Sequence, residues 1–190
     1  VCVRGGLIAE VGADLSARTA ARRVEAAGLV VAPGFIDMLG QSEYLVLVDG
    51  RAASKITQGI TTEITGEGDS IAPVNARMIA DGRATYEHYG VTPTWTTLDG
   101  YFRELERRGA TINLGTFVGA GGVRDLVVGQ DDRPATTAEL DAMKAAVARA
   151  MEDGALGLSS SLIYVPGRFA STEELIALAD GHRESTESWA

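Results

Sequence analysis

The chain is 190 residues long, with 17 basic and 26 acidic side chains and a formal net charge of −9. That length fits one domain plus part of a second, and the acidic balance disfavours a general nucleic-acid or anionic-membrane surface. Hydrophobic residues at 45% and charged residues at 23% mark a globular chain with a core to bury, not a disordered one.

Cys2 is the single cysteine, so an internal disulfide and a multi-cysteine zinc site are excluded. No apolar run approaches the ~18 residues of a membrane span. The start shows no signal-peptide pattern, which favours a cytoplasmic location, and Val1 in place of Met reads as a processed or truncated end.

In chain order, Val1 to Val11 reads as a β-hairpin around Gly5-Gly6, and Val24 to Val31 as a short strand pair broken at Gly28. Phe35 to Met38 is a short apolar strand holding Asp37. Arg51 to Gln58 fits a helix with Gly59 past its end. Ile60 to Thr65 is β-branched and strand-like, ending at Gly66-Glu67-Gly68. Asn75 to Ala80 is a weak helix. Leu98, Tyr101, Phe102 and Leu105 share one face of a helix over Leu98 to Arg108. Ile112 to Val118 is a strand. Thr136 and Glu139 form a capping-box pattern ahead of a helix over Thr137 to Asp153. Ala155 to Ser159 is a strand, and Ser171 with Glu174 repeats the capping spacing before Leu175 to Ala179.

From Arg51 onward strand and helix alternate, the order of parallel βα units. The fold class expected is α/β, and three segments follow. Residues 1–32 form a separate small β element, residues 33–180 the βα units, and residues 181–190 a polar, unstructured tail. The glycines of Gly119 to Gly122 are not followed by the Lys-Ser/Thr of a phosphate loop, so nucleotide binding is disfavoured. The serines Ser159, Ser160 and Ser161 sit in no Gly-x-Ser-x-Gly elbow, which argues against a serine nucleophile.

Four stretches carry a resemblance to a known family. VVAPGFIDMLGQSE resembles the first barrel strand of the amidohydrolase superfamily. QGITTEITGEGDSIAP, INLGTFVGAGGVRDLVVG and EDGALGLSSSLIYVPGRFASTEELIALA resemble later blocks, in order, of its D-aminoacylase or N-acyl-D-amino-acid deacylase group. The resemblance implies a partial, truncated TIM-like (β/α) barrel beginning near Phe35, with residues 1–32 as the N-terminal part of a small β-sandwich. A complete barrel takes ~200 residues or more. It also implies metal-dependent hydrolysis of carbon–nitrogen bonds in linear amides. The partner is then a small N-acylated amino acid or related amide, with no nucleic acid and no membrane.

Hydrolysis of an amide near neutral pH needs an activated water and an electrophile on the carbonyl oxygen, and a divalent metal supplies both. In the superfamily the first strand contributes His-x-His. Here those positions fall on Leu39, which cannot ligate, and Gln41, a neutral oxygen donor inferior to imidazole. Glu43 matches an acidic residue that follows in the deacylases. Glu67 takes the place of the family's metal-binding cysteine when one residue is deleted; it reads either as a ligand or as an exposed loop acid. The resemblance thus implies zinc, one ion rather than two, with Glu67, Gln41 and Glu43 as the candidate metal residues. Tyr164 and Ser160 match the substrate-facing stretch, against a reading of the serines as turn formers.

Glu63, inside a strand, either faces a site or pairs with a basic residue at the strand–helix interface. Asp37 either faces the site or bonds neighbouring backbone. His88 and His182 lack metal-ligand spacing and read as surface histidines. No catalytic residue is assigned within these 190 residues, and the isolated chain is expected to be inactive. The alternatives are a non-catalytic amidohydrolase-fold binding module and a gene remnant.

Overall fold

The computed structural model describes the backbone of residues 1–186 and the side chains of residues 1–181. A first compact unit spans Val1–Gly34 and a second begins at Phe35. In the first, β1 (Cys2–Arg4) and β2 (Leu7–Glu10) pair antiparallel, with Arg4 opposite Leu7. Gly5 and Gly6 take φ values of 59° and 78°, the two positive angles that a tight hairpin turn demands. The strand pair expected over Val24 to Val31 does not form. Instead the Leu29 amide closes a turn on the Ala26 carbonyl at 3.0 Å, and Val24, Leu29, Val30 and Val31 stay exposed.

In the second unit the order is β3 (Phe35–Asp37), α1 (Leu45–Val48), α2 (Ala53–Ile56), β4 (Ile60–Thr65), α3 (Ala76–Asp81), α4 (Arg83–Tyr89), α5 (Leu98–Arg108) and β5 (Asn113–Thr116). Then come β6 (Val118–Gly119), α6 (Ala120–Val127), α7 (Thr137–Glu152), β7 (Leu158–Ser159) and α8 (Thr172–Thr186). The strands β3, β4 and β5 lie side by side and parallel, and β6 pairs parallel with β7. The architecture is mixed α/β, and no closed barrel forms among the described residues.

Register decides which side chains share a face. Asp37 lies beside Glu63, and Glu63 beside Leu114, so all three project from one side of the sheet. Leu114 packs on the helical core of Val46, Leu98, Tyr101, Met143 and Val147. That side is therefore the helix layer. On the opposite side Ile36 remains 59% exposed. Phe35 and Met38 are exposed too, so the edge strand β3 presents an apolar surface to solvent.

The helices form where caps and apolar stripes agree. The Thr136 hydroxyl accepts from the Glu139 amide, and Glu139 reaches back to the Thr136 amide, completing the capping box of α7. Met143, Val147 and Ala150 then bury one face at a gain of roughly 1.5–3 kcal/mol for each larger side chain. Thr97 caps α5 through the Gly100 amide, and Leu98, Tyr101 and Leu105 are its buried face.

Several expected boundaries move. The strand expected over Ile112 to Val118 divides at Phe117 into β5 and β6, because the Phe117 amide turns to the Thr65 carbonyl while Val118 turns to Gly157. The helix expected over Arg51 to Gln58 shortens to α2. The helix of the chain's last segment is longer than expected. It runs through Thr186, six residues into the stretch expected to be unstructured, with Gly181 buried against the Lys144 stem and no proline to stop it. The rest of that stretch, 187–190, and the side chain of His182 lie outside the described residues.

Candidate functional site

In parallel βα architecture the loops that follow the strands carry chemistry, so the ends of β3, β4, β6 and β7 define where to look. The loop after β4 is held most tightly. Gly66 has φ +88°, and a Cβ there would stand 2.3 Å from the Phe117 carbonyl oxygen. Gly68 has φ +73°, and its Cβ would stand 2.4 Å from Ser161 Cβ. No other residue fits either place without displacing backbone. Between them Glu67 is exposed, and its carboxylate has no hydrogen-bond partner among the described residues. The Gly121 amide at the start of α6 binds the Gly68 carbonyl at 3.0 Å, so the loop is seated on the strand β6–α6 junction.

Beside it lies a cleft of about 20 Å³, lined by Glu67, Asp69, Gly121, Ser161, Tyr164 and Gly167 among others. The fold thus brings Glu67 and Tyr164 to one cleft from positions 97 residues apart in the numbering. The cleft has room for about one water. Tyr164 itself is 66% exposed. Ser160 is exposed on the neighbouring loop and does not line the cleft. Burial, with the Asp125 charge adding to it, pushes the Asp69 carboxyl above the usual carboxylate range.

The end of β3 is organised differently. Glu63 is fully buried; its Oε1 accepts from the Ser42 amide at 3.1 Å and lies 3.5 Å from Lys55 Nζ. Lys55 Nζ also binds Asp37 Oδ2 at 2.6 Å, and the Leu39 amide donates to Asp37 Oδ1. The Lys55 hydrogen bond, helped by the Leu39 amide, holds the Asp37 carboxyl below its ordinary range. Of the two alternatives for Glu63, the structure shows pairing with a basic residue at the strand–helix interface. Glu63 Oε2 has no hydrogen-bond partner among the described residues. A Cβ on Gly40 would fall 1.9 Å from Glu63 Oε1, so the carboxylate occupies space that only glycine leaves open.

Gln41 is exposed on the loop after β3. Glu43 is half-buried, and burial pushes its carboxyl up, with the nearby Glu63 charge acting in the same direction. Neither lines the Glu67 cleft. His88 is exposed, its ring edge-on to Tyr89 at 5.0 Å. Among the described residues no cluster of three or more His, Cys, Asp or Glu side chains is arranged to hold a metal ion. By donor chemistry Glu67, an exposed and otherwise unengaged carboxylate, suits zinc. Glu43, disfavoured as an anion, and the neutral amide of Gln41 suit it poorly. A separate hollow of about 930 Å³ is lined by Gly109, Ala110, Ile112, Asp153 and Gly154 among others. These residues precede β5 and β7, at the end of the strands opposite to Glu67.

Sequence reasoning missed two participants, Lys55 and Ser159. Lys55 has no motif. Ser159 sits inside the noted serine run, but its contacts cross the fold.

Set beside known proteins, the chain is similar to a stretch of several deacylases. It is 36% identical over 180 residues to an N-acyl-D-glutamate deacylase of Alcaligenes xylosoxydans xylosoxydans, covering 94% of this chain and 36% of that protein. To a D-aminoacylase of the same organism it is 37% identical over 175 residues, covering 92% and 36%. A solved D-aminoacylase with a binuclear metal centre superimposes with a TM-score of 0.79 at 34% identity, covering 91% of this chain and 36% of that one. An N-acyl-D-glutamate deacylase from Bordetella bronchiseptica, solved with zinc and a phosphonate mimic of the tetrahedral intermediate, gives 0.65 at 32% identity, covering 80% and 32%. The chain spans about 36% of the length of the curated relatives cited. No family model matches it.

Proposed function

We propose that this chain is part of a metal-dependent hydrolase that cleaves the carbon–nitrogen bond of linear amides, N-acyl-D-amino acids foremost. The observation that carries the reading is the Glu67 loop. A free carboxylate is displayed between two obligate glycines at a parallel strand end, beside Tyr164, in a chain homologous to N-acyl-D-amino-acid deacylases. Residues 33–180 are read as the first βα units of a larger barrel, and residues 1–32 as part of a small β-sandwich. The exposed apolar side chains of β3 support this, since such an edge is normally covered.

In this reading Glu67 is the anionic donor to a single zinc ion, and Gln41 and Glu43, poorer donors outside the Glu67 cleft, are only secondary candidates. Leu39 offers no lone pair, which favours one ion over two. When bound, the ion supplies Lewis acidity and an acidified water. The chain's own groups bind and orient substrate. The Tyr164 hydroxyl donates to an oxygen of the amide or carboxylate, and Ser160 contributes a second polar contact on the same loop.

A second reading is favoured by one observation: among the described residues no three suitable donors are gathered. A non-catalytic module would keep the fold without turnover. The test uses the product of the complete gene, reconstituted with zinc and given N-acetyl-D-glutamate, N-acetyl-D-aspartate and an N-acetyl-D-amino acid with an apolar side chain. Release of free D-amino acid that stops on chelation and returns with zinc, at about one ion per chain, supports the hydrolase. Absence of both release and bound zinc overturns it in favour of the module.

A further inference from the structure

We propose that Ser159 is a positioning residue that fixes the backbone from which the Glu67 carboxylate is presented, an inference that rests on the role of Glu67 given above. Ser159 ends β7, opposite Gly119 of β6. Its hydroxyl donates to the Gly66 carbonyl oxygen. The Ser159 hydroxyl oxygen in turn accepts from the Gly68 amide at 3.0 Å. One atom therefore ties the residue before Glu67 and the residue after it.

A loop with glycine on both sides of its functional residue has a cost. Glycine has the widest backbone freedom, and ordering it sacrifices the most entropy. The close approaches to Phe117 and Ser161 demand glycine at 66 and 68, so the loop is soft for the same reason that it fits. The Glu67 carboxylate makes no side-chain hydrogen bond of its own among the described residues, so what the loop fixes is the backbone position from which it reaches. Apart from the Asp69 amide, which binds the Glu67 carbonyl at 2.8 Å, the remaining ties hold the loop's ends. Phe117 binds the Thr65 carbonyl, Gly121 the Gly68 carbonyl, and Gly119 the Ser70 hydroxyl. Only the Ser159 hydroxyl, among the bonds described, spans Glu67 itself. A hydroxyl suits the task because it donates and accepts through one oxygen; alanine does neither. Groups that act behind a metal donor typically change ion affinity by 10- to 100-fold when removed.

The experiment compares S159A, S159T and E67Q in the product of the complete gene. It reads hydrogen exchange at the Gly68 amide and zinc affinity by competition with a chromogenic chelator. S159A is expected to exchange at Gly68 about ten-fold faster and to bind zinc about ten-fold more weakly. S159T, which keeps the hydroxyl, is expected to restore both. E67Q is expected to weaken zinc while leaving Gly68 exchange unchanged. Unchanged Gly68 exchange in S159A overturns the proposal. So does zinc affinity equal to the parent's in S159A when E67Q is weakened. Full zinc affinity in E67Q instead overturns the Glu67 reading, and the exchange result then decides alone whether Ser159 holds the loop.

Discussion

Replacing Lys55 by methionine removes the one cation, among the described residues, within 4 Å of a fully buried carboxylate while keeping most of the side chain's bulk. Glu63 has no exposed side-chain surface and the Lys55 side chain only 19%. Breaking a buried ion pair from one side costs about 3–5 kcal/mol, because the surviving charge is left uncompensated. Two features lower that figure here. The Nζ–Oε1 separation is 3.5 Å, and the Ser42 amide still donates to Oε1 after the change. The expected loss is therefore about 2–3 kcal/mol, or roughly 5–10 °C in Tm for a chain of this size. Urea unfolding followed by circular dichroism at pH 7 reads it, with the slope checked for constancy. The double variant K55M/E63Q takes away the buried orphaned charge as well and is expected to recover part of the loss, the rest belonging to Asp37, which also loses its Lys55 partner. A K55M loss below about 0.5 kcal/mol, or a double variant no more stable than K55M, refutes the reasoning.

Other consequences follow from the same contacts. Gly40→Ala places a methyl 1.9 Å from Glu63 Oε1 and is expected to cost about 1–3 kcal/mol in the same unfolding assay; a neutral result contradicts the packing described. Thr136→Ala dismantles the α7 capping box and is expected to cost about 1 kcal/mol, whereas Thr136→Ser retains most of it. On the acid side, Arg51 holds Asp49 down to about 2, and Arg107 with Arg108 holds Glu104 down to about 2. Arg133 and the Thr136 amide hold Glu139 lower still. Depressed carboxyls contribute stability that is present above their ordinary values near 4 and disappears as pH falls through the depressed ones. Stability is thus expected to decline from about pH 4.5 towards pH 2, less steeply in high salt because these groups are exposed. A flat profile down to pH 2.5 is the contrary outcome.

How much of this was legible from residue order varies with the range of the interaction. The hairpin at Gly5-Gly6 and helices α5 and α7 are local: turn chemistry, a cap and an apolar stripe within one segment specify each. The helix α6 was not legible. Gly119, Gly121 and Gly122 gave no helix signal and were weighed only against a phosphate loop, yet a Cβ at Gly119 would lie 2.2 Å from the Gly68 carbonyl oxygen. Those glycines serve close packing against the Glu67 loop, a demand invisible until the loop is in place. The strand pair expected over Val24 to Val31 failed for the complementary reason. Its β-branched residues have strand propensity, but propensity forms no sheet without a paired neighbour. At the candidate site, Glu67 and Tyr164 were singled out by the resemblance of the segments around them to the deacylases, and the fold brings both to one cleft. Lys55 and Ser159 were not, since a salt bridge or a shared hydroxyl between separate loops leaves no spacing pattern in the chain.

The most direct test of the account is zinc-dependent release of D-amino acid by the complete gene product in parent and E67Q forms, measured together with bound zinc. The account predicts that the parent holds zinc and turns over an N-acyl-D-amino acid, and that E67Q loses at least ten-fold in both ion affinity and rate. An E67Q protein that retains the parent's zinc content and rate contradicts it.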